Sequence, residues 1–359
     1  MMKNKALSRW FRPIVLKMKG YTPGEQPGDP SIVKLNMNEN PYATPAPILE
    51  AFRYLADGRL RLYPESTAET LLNALAKTYN WPVEGILAGN GSDEILSLLF
   101  SASVGKGDLV QYPDLTYSLY PVLAQIREAK TKEVKLDTFY DLPFEKFSAG
   151  ARLTLFGYPN PPVGNCFPLK HIENFARKAK GLVLIDEAYV DFADSHCLNL
   201  ARRYPNILVL RTMSKSFSLA GIRLGFVFAH PGVVEQLLKV KDSHNVNRIT
   251  QALGLAALKT ESLERVKKNI KKIRFERTRL TEGLRNIGFS VPNSEANFIL
   301  ATRTGKPGAE SLYKNLKKKG VLIRYFSHPR LRNSLRITIG TTEQNNRLLA
   351  ALRAVISSK

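Results

Sequence analysis

Cysteine is nearly absent: Cys166 and Cys197 are the two in a chain of 359 residues. Two thiols with no motif spacing exclude a disulfide framework and a thiolate metal site, and they suit a reducing, cytoplasmic setting. No apolar run approaches the ~18 residues of a membrane span. The start, Met1 to Trp10, is polar and basic and lacks the apolar core of a secretory signal. Fixed-period repeats and low-complexity stretches are missing too, which excludes solenoid and disordered classes. Acidic residues are scarce beside basic ones, 31 Asp+Glu against 53 Lys+Arg, for a net charge of +22.

That charge has two readings, a nucleic-acid surface or a solvated face attractive to small anions. The densest stretch, "ERVKKNIKKIRFERTRL", spreads its basic residues all round a helix, broken by Glu264 and Glu276, without a series of aromatics to stack on bases. Charge sign alone is weak evidence, so a nucleic-acid partner is not expected, and neither is a membrane.

What is present is a core-forming composition, 44% apolar, in a chain longer than one compact core usually holds. Residues 45–57 and 66–80 read as helices, the second capped by Ser66. Strands and helices then alternate: "GILAG", a helix from "GSDEILSLLF", "DLVQY", "TYSLYPVLAQI", "KEVKL", "ARLTLFGY", "LKHIENFARKA", "GLVLID", "ILVLRT" and "GFVFAH". This rhythm predicts an α/β fold with a mostly parallel central sheet and helices on both faces. From about Gly232 long helices follow (232–241, 246–259, 261–286). Short strands "FSV", "NFILAT", "GVLIRY" and "LRITIG" come next, with helices at 309–319 and 342–357, a smaller α+β domain. The expected division is an N-terminal arm, 1–40, a large domain, 41–260, and a small domain, 261–359.

In open α/β sheets the chemistry lies just beyond the carboxyl ends of strands. Three such ends are informative. "GLVLIDEAYVDF" carries Asp186 and Tyr189; "ILVLRTMSKSF" carries Thr212, Ser214 and Lys215; "LAGNGSDE" opens a helix at Gly91, Ser92 and Asp93, where free N–H groups can meet an anion. Four apolar residues before Asp-Glu also describe an ATPase strand. That reading needs a phosphate loop, and the Gly-Lys pairs at Gly105 and Gly305 are followed by Gly and Pro.

Together the three ends make one chemical sense. A lysine with a lowered pKa forms a Schiff base with a carbonyl. Pyridoxal phosphate supplies that carbonyl and needs a carboxylate at its ring nitrogen, a part for Asp186. Tyr189 can hydrogen-bond the ring's 3-oxygen. Ser92, Ser214, Arg223 and the helix opening at Gly91 can hold the phosphate, which is why the Lys215 turn is small and hydroxylated.

The motifs "LNMNENPY", "RLYPE", "GNGSDEI", "TYSLY", "IDEAYVDF", "RTMSKSFSLAGIRLGF" and "LRITIGT" occur in that order. The chain resembles the fold-type-I pyridoxal-phosphate aminotransferases from about Tyr21 to Leu352. Within them, "YTPGEQP" and "GVLIRYFSHPRLRNSLRITIGTTEQNNRLLAAL" are similar to the histidinol-phosphate aminotransferase family. The resemblance implies a homodimer with shared sites that exchanges an amino group between L-histidinol phosphate and 2-oxoglutarate. It implies Lys215, Asp186 and Tyr189 as catalytic residues, and Tyr117 stacked on the ring. Gly91, Ser92, Asp93, Thr212, Ser214 and Arg223 belong to the implied cofactor set, joined by Tyr63 from the other subunit. Tyr21, Asn38, Arg324 and Arg336 form the implied substrate set.

One departure bears on the site. "YPNPPVG" places Pro161 where the family's asparagine faces the 3-oxygen, so Asn160 is expected to take that role. An aromatic-amino-acid aminotransferase and a threonine-phosphate decarboxylase share the fold and remain alternatives. A cofactor-binding nucleic-acid regulator would need a DNA-binding module, for which the arm is too short.

Overall fold

The computed structural model describes residues 9–55 and 58–357. Its centre is a seven-stranded sheet in the order β2-β8-β7-β6-β5-β3-β4. The strands are β2 (Ile86–Asn90), β3 (Leu109–Pro113), β4 (Lys130–Val134), β5 (Leu153–Gly157), β6 (Leu182–Asp186), β7 (Ile207–Thr212) and β8 (Leu224–Phe228). All are parallel except β8, which runs antiparallel to both β2 and β7. The cause is local. A parallel crossover needs a dozen or more residues, usually with a helix, and residues 213–223 hold only the one-turn helix Ala220–Ile222. The chain therefore turns back beside β7 and delivers Arg223 and Gly225 next to the start of the helix Ser92–Ser103.

The strands read as unbroken apolar runs because both faces are covered. Leu184, Leu208, Leu210 and Val227 pack with Ile95, Leu99 and Phe100 of the helix Ser92–Ser103. The alternate residues Val183, Ile185, Ile207 and Val209 pack with Leu71, Ile172, Leu200 and Leu253 on the other side. Period-two alternation thus divides each strand between two cores.

A smaller antiparallel sheet has the order β11-β12-β9, from β9 (Phe298–Thr302), β11 (Arg324–Tyr325) and β12 (Ser334–Thr338). Leu335, Ile337 and Ile299 meet Leu312, Leu316, Leu348 and Leu352 from the helices Ala309–Lys318 and Thr342–Ser357. The long helix Thr260–Arg285 joins the two units, burying Val266 in the large core and Ile273, Leu280 and Leu284 in the small one. Arg330 ties them again: its guanidinium lies 2.5 Å from the Asp114 carboxylate and reaches the carbonyls of Leu136 and Asp137.

Local readings differ in four places. "GVLIRY" splits at Ile323: β10 (Val321–Leu322) pairs in parallel with β1 (Val33–Lys34) of the arm, whereas β11 pairs with β12. "FSV" makes only a single bridge, Ser290 to Thr302. The first expected helix is Ala46–Arg53, its final residues 56 and 57 lying outside the described residues. The second starts at Glu69, and its cap is the Glu65 carboxylate, which accepts from the Thr70 N–H and hydroxyl, instead of Ser66. A carboxylate at a helix start also meets the positive end of the macrodipole.

Gly225 decides how closely β8 approaches the helix Ser92–Ser103. A Cβ there would sit 2.4 Å from the Ser92 nitrogen and 2.6 Å from the Gly91 carbonyl carbon, both backbone atoms. Gly225→Ala must therefore part strand from helix. The expected loss is about 1–3 kcal/mol of unfolding free energy, the usual cost of overpacking, read from urea midpoints.

Candidate active site

Lys215 follows β7 in a turn held from several sides. The Thr212 hydroxyl accepts the Ser214 N–H at 3.1 Å and lies 2.9 Å from both the Ser214 hydroxyl and the Leu224 carbonyl. Asn40 of the arm donates its amide to the carbonyls of Lys215 and Ser216, each at 3.0 Å. Thr44 donates to the Ser218 carbonyl, and Ser216 donates to Asp191. With its backbone so fixed, the Lys215 amine donates to the Met37 carbonyl at 3.2 Å and stands 5.7 Å from the centre of the Tyr189 ring. Burial pushes its pKa down to about 8, helped by the charges of Arg336 and Arg223. At neutral pH a larger share of such an amine is neutral than of a solvated lysine.

Asp186 ends the adjacent strand, β6. Tyr120, fully buried in the helix Leu119–Ile126, donates its hydroxyl to one carboxylate oxygen at 2.8 Å, and the Ala188 N–H donates to the other at 3.1 Å. Burial still raises the carboxyl pKa to about 6. An acid so placed ionises readily only with a cation against it. Tyr189, three residues on, sets its ring edge-on to Phe298 and accepts the Asn38 amide N–H at 2.9 Å.

The start of the helix Ser92–Ser103 adds a group of donors that could hold an anion. Gly91 has φ +84, and a Cβ there would meet the Arg223 guanidinium at 2.5 Å. Glycine thus lets that guanidinium lie on the backbone where the helix exposes the Ser92 N–H. Asp93 accepts from Arg223 at 3.2 Å and from the Tyr117 hydroxyl at 3.1 Å, fixing a cation and an aromatic ring at one rim. Thr212 and Ser214 lie at the end of β7, whose neighbour β8 pairs in turn with β2.

The small unit supplies two arginines. Arg336 on β12 faces Arg324 on β11 in register. Like charges directly opposite repel, and no carboxylate pairs with either among the described residues. Arg336 donates to the Asn36 carbonyl at 3.0 Å and lies over Phe298 and Phe326, while its Nε is buried without a partner. Such a pair could hold an anion between its guanidinium groups. Tyr21 packs its ring edge-on to Tyr117, centres 5.8 Å apart, bringing the arm to the same rim.

Two expected residues do not join this cluster. Tyr63 is 82% exposed and stacks on His244, on the outside of its own chain. Asn160 is fully buried, with its amide nitrogen on the Leu115 carbonyl at 2.9 Å and its oxygen taking the Thr116 hydroxyl. It has no surface open to the cleft, so the expectation that it faces the 3-oxygen is corrected. Asn38, placed in the substrate set, bonds Tyr189 instead. Asn40 and Tyr120 were overlooked, although both lie within motifs already singled out, "LNMNENPY" and "TYSLY".

Among the described residues no group of His, Cys, Asp and Glu could hold a metal ion, and no helix is long and apolar enough to cross a membrane.

Residues 30–352 match the family "Aminotransferase class I and II". Histidinol-phosphate aminotransferase from Microcystis aeruginosa is 43% identical over 97% of this chain and 99% of its own length. The enzyme of that name from Rippkaea orientalis is 41% identical, again over 97% and 99%. In fold, the chain is similar to the crystal structure of histidinol-phosphate aminotransferase from Sinorhizobium meliloti in complex with pyridoxal-5'-phosphate. The TM-score is 0.88 at 24% identity, covering 97% of this chain and 98% of that one.

Tyr120 lowers the Asp186 pKa against the larger effect of burial. Tyr120→Phe removes a donor from the ionised form, so the Asp186 pKa should climb further above 6, by about one unit. Carbon-13 NMR titration of the aspartate carboxyls reads it, and an unmoved Asp186 signal would contradict the assignment.

Proposed function

The chain belongs to the class I and II aminotransferases, and from that premise we propose a pyridoxal-phosphate-dependent transaminase whose substrate is a phosphate ester. It interconverts L-histidinol phosphate and 2-oxoglutarate with imidazole-acetol phosphate and L-glutamate. The observation that carries this reading is the Lys215 amine, desolvated at the end of β7 between an acid, Asp186, and an anion cradle at Gly91 and Arg223. The names of the closely similar full-length relatives support the substrate.

The residues fit the cofactor. Its phosphate suits the helix start at Gly91 and Ser92 with Ser214, Thr212 and Arg223, and Asp93 orients Arg223 and Tyr117 for it. When bound, pyridoxal phosphate supplies an aldehyde for an amine and a ring that takes up an electron pair. Lys215 Nζ is that amine. As a free amine, Lys215 Nζ would be the base that takes the proton from the substrate's amine-bearing carbon. Asp186, costly to ionise alone, is stabilised as a carboxylate by a protonated ring nitrogen, and Tyr120 holds its orientation. Tyr117 would offer its ring face to the cofactor, and Tyr189 its hydroxyl. Since donor and acceptor use one site in turn, the kinetics are ping-pong.

Arg336 and Arg324 hold the substrate's anion, closed over by Tyr21. One guanidinium suffices for a carboxylate fork, whereas two with a phenol suit a phosphate. The enzyme is a homodimer. Leu49, Phe52, Tyr54, Leu60 and Tyr63, each more than half exposed, form an apolar segment that a second copy would cover. Tyr63 then serves the neighbouring site instead of its own. Both cysteines are free, which supports a cytoplasmic setting.

Purified protein carrying the cofactor should be yellow, and Lys215→Ala should keep the cofactor but lose turnover by several orders of magnitude. A colourless protein, or a fully active Lys215→Ala, would end this reading. Substrate choice is tested separately. Arg324→Ala should cost histidinol phosphate about 2–4 kcal/mol in kcat/KM and glutamate far less, whereas Arg336→Ala should damage both. A wild type that prefers phenylalanine, or that releases carbon dioxide, would replace histidinol phosphate with one of the alternative substrates.

A further inference from the structure

Asn38 holds its backbone at φ +57, in the left-handed region that asparagine tolerates better than most residues. The small unit fixes it there. Its N–H donates to the Thr338 hydroxyl at 2.9 Å, and its carbonyl accepts the Asn297 amide at 3.0 Å. Its side-chain oxygen takes the Thr338 hydroxyl hydrogen at 3.3 Å, which leaves the side-chain nitrogen 2.9 Å from the Tyr189 oxygen. Reversing the amide would give Thr338 two donors and strand its own hydrogen in a buried place. The polarity is therefore set: Asn38 donates, and Tyr189 accepts.

A phenol oxygen that accepts from an amide keeps its own hydrogen for another partner. No described residue takes it. The half-buried ring packs edge-on against Phe298 at the border of the small core. The charged groups bearing on Tyr189 are Lys215 over its ring and Arg336, Asp186 and Asp93 nearby, and none accepts from its hydroxyl.

We propose that Asn38 is a positioning residue that aims the Tyr189 proton into the cleft, making Tyr189 an obligate donor to an oxyanion of the bound cofactor. Asn160, buried elsewhere, leaves this part to Tyr189. Because Asn38 hangs from Thr338 and Asn297, the small unit holds that aim. The inference rests on the pyridoxal-phosphate reading of the site, and the experiment separates the two.

The measurement is the pH at which the visible absorption of the bound cofactor changes. Wild-type protein that binds pyridoxal phosphate with a pH-dependent visible band upholds the underlying reading, and one that does not overturns it. The inference is tested by the variants. A donor to an oxyanion favours proton loss, so its removal moves the transition upward. Asn38→Gly, which suits the left-handed backbone, should raise it by about one pH unit, the effect of one hydrogen bond. Asn38→Asp should raise it further, since a carboxylate takes the Tyr189 proton for itself. In a Tyr189→Phe background, Asn38→Gly should produce no additional shift. The proposal is overturned by an unmoved transition in Asn38→Gly, by a smaller shift in Asn38→Asp than in Asn38→Gly, or by a full Asn38→Gly shift without the Tyr189 hydroxyl.

Discussion

Stripping water from a lysine amine disfavours its charged form, and at Lys215 that penalty brings the pKa to about 8. The surroundings follow from keeping the amine there with no carboxylate bonded to it, Glu39 and Asp93 acting only from a distance. An acid in contact would restore an ordinary lysine. Instead the nearest partner is the Met37 carbonyl, and Arg336 and Arg223 add positive charge around it. The turn must then be held by its backbone, through Asn40, Thr44, Thr212 and Ser216, because its functional side chain cannot anchor it. Polar satisfaction of the main chain leaves the amine available.

The large sheet brings Asp186, Lys215 and Arg223 to one edge of the structure, as successive strand ends of an open α/β sheet do. It does not complete the site. Met37, Asn38 and Asn40 come from the arm, which the pairing of β1 with β10 fastens to the small unit. Arg324 and Arg336 come from the small sheet itself. Three parts of the chain therefore meet around one amine, joined by the helix Thr260–Arg285 and by the Arg330–Asp114 pair. Their relative placement is a condition for chemistry. The Asn38–Tyr189 bond is one of the points where the arm touches a side chain of the large sheet's own loops.

How legible this was depends on the range of the forces involved. Lys215, Asp186 and the Gly91–Ser92 helix start were readable because each sits just after an apolar strand, where local periodicity and loop chemistry coincide. The reversed β8 was legible in principle, since the link from Thr212 to Leu224 is too short for a crossover, yet "GFVFAH" by itself carries no direction. The Glu65 cap was hidden by the ordinary preference for serine. "GVLIRY" reads as one strand because nothing within it reveals that Val321 and Arg324 answer to different partners.

Sequence alone determined the strand and helix alternation, the two apolar faces of each buried strand, and which lysine, acid and helix start stand at the strand ends. These depend on residues a few positions apart, and a linear chain displays them. Tertiary structure decided the rest. Tyr120 meets Asp186 from 66 positions away, Asn38 meets Tyr189 from 151, and Thr338 aims Asn38 from 300. It also took Asn160 out of the cleft and placed two arginines face to face. A hydrogen bond or a charge acts over a few ångströms of space, whatever the length of chain between its ends, so only the folded molecule can say which polar groups meet.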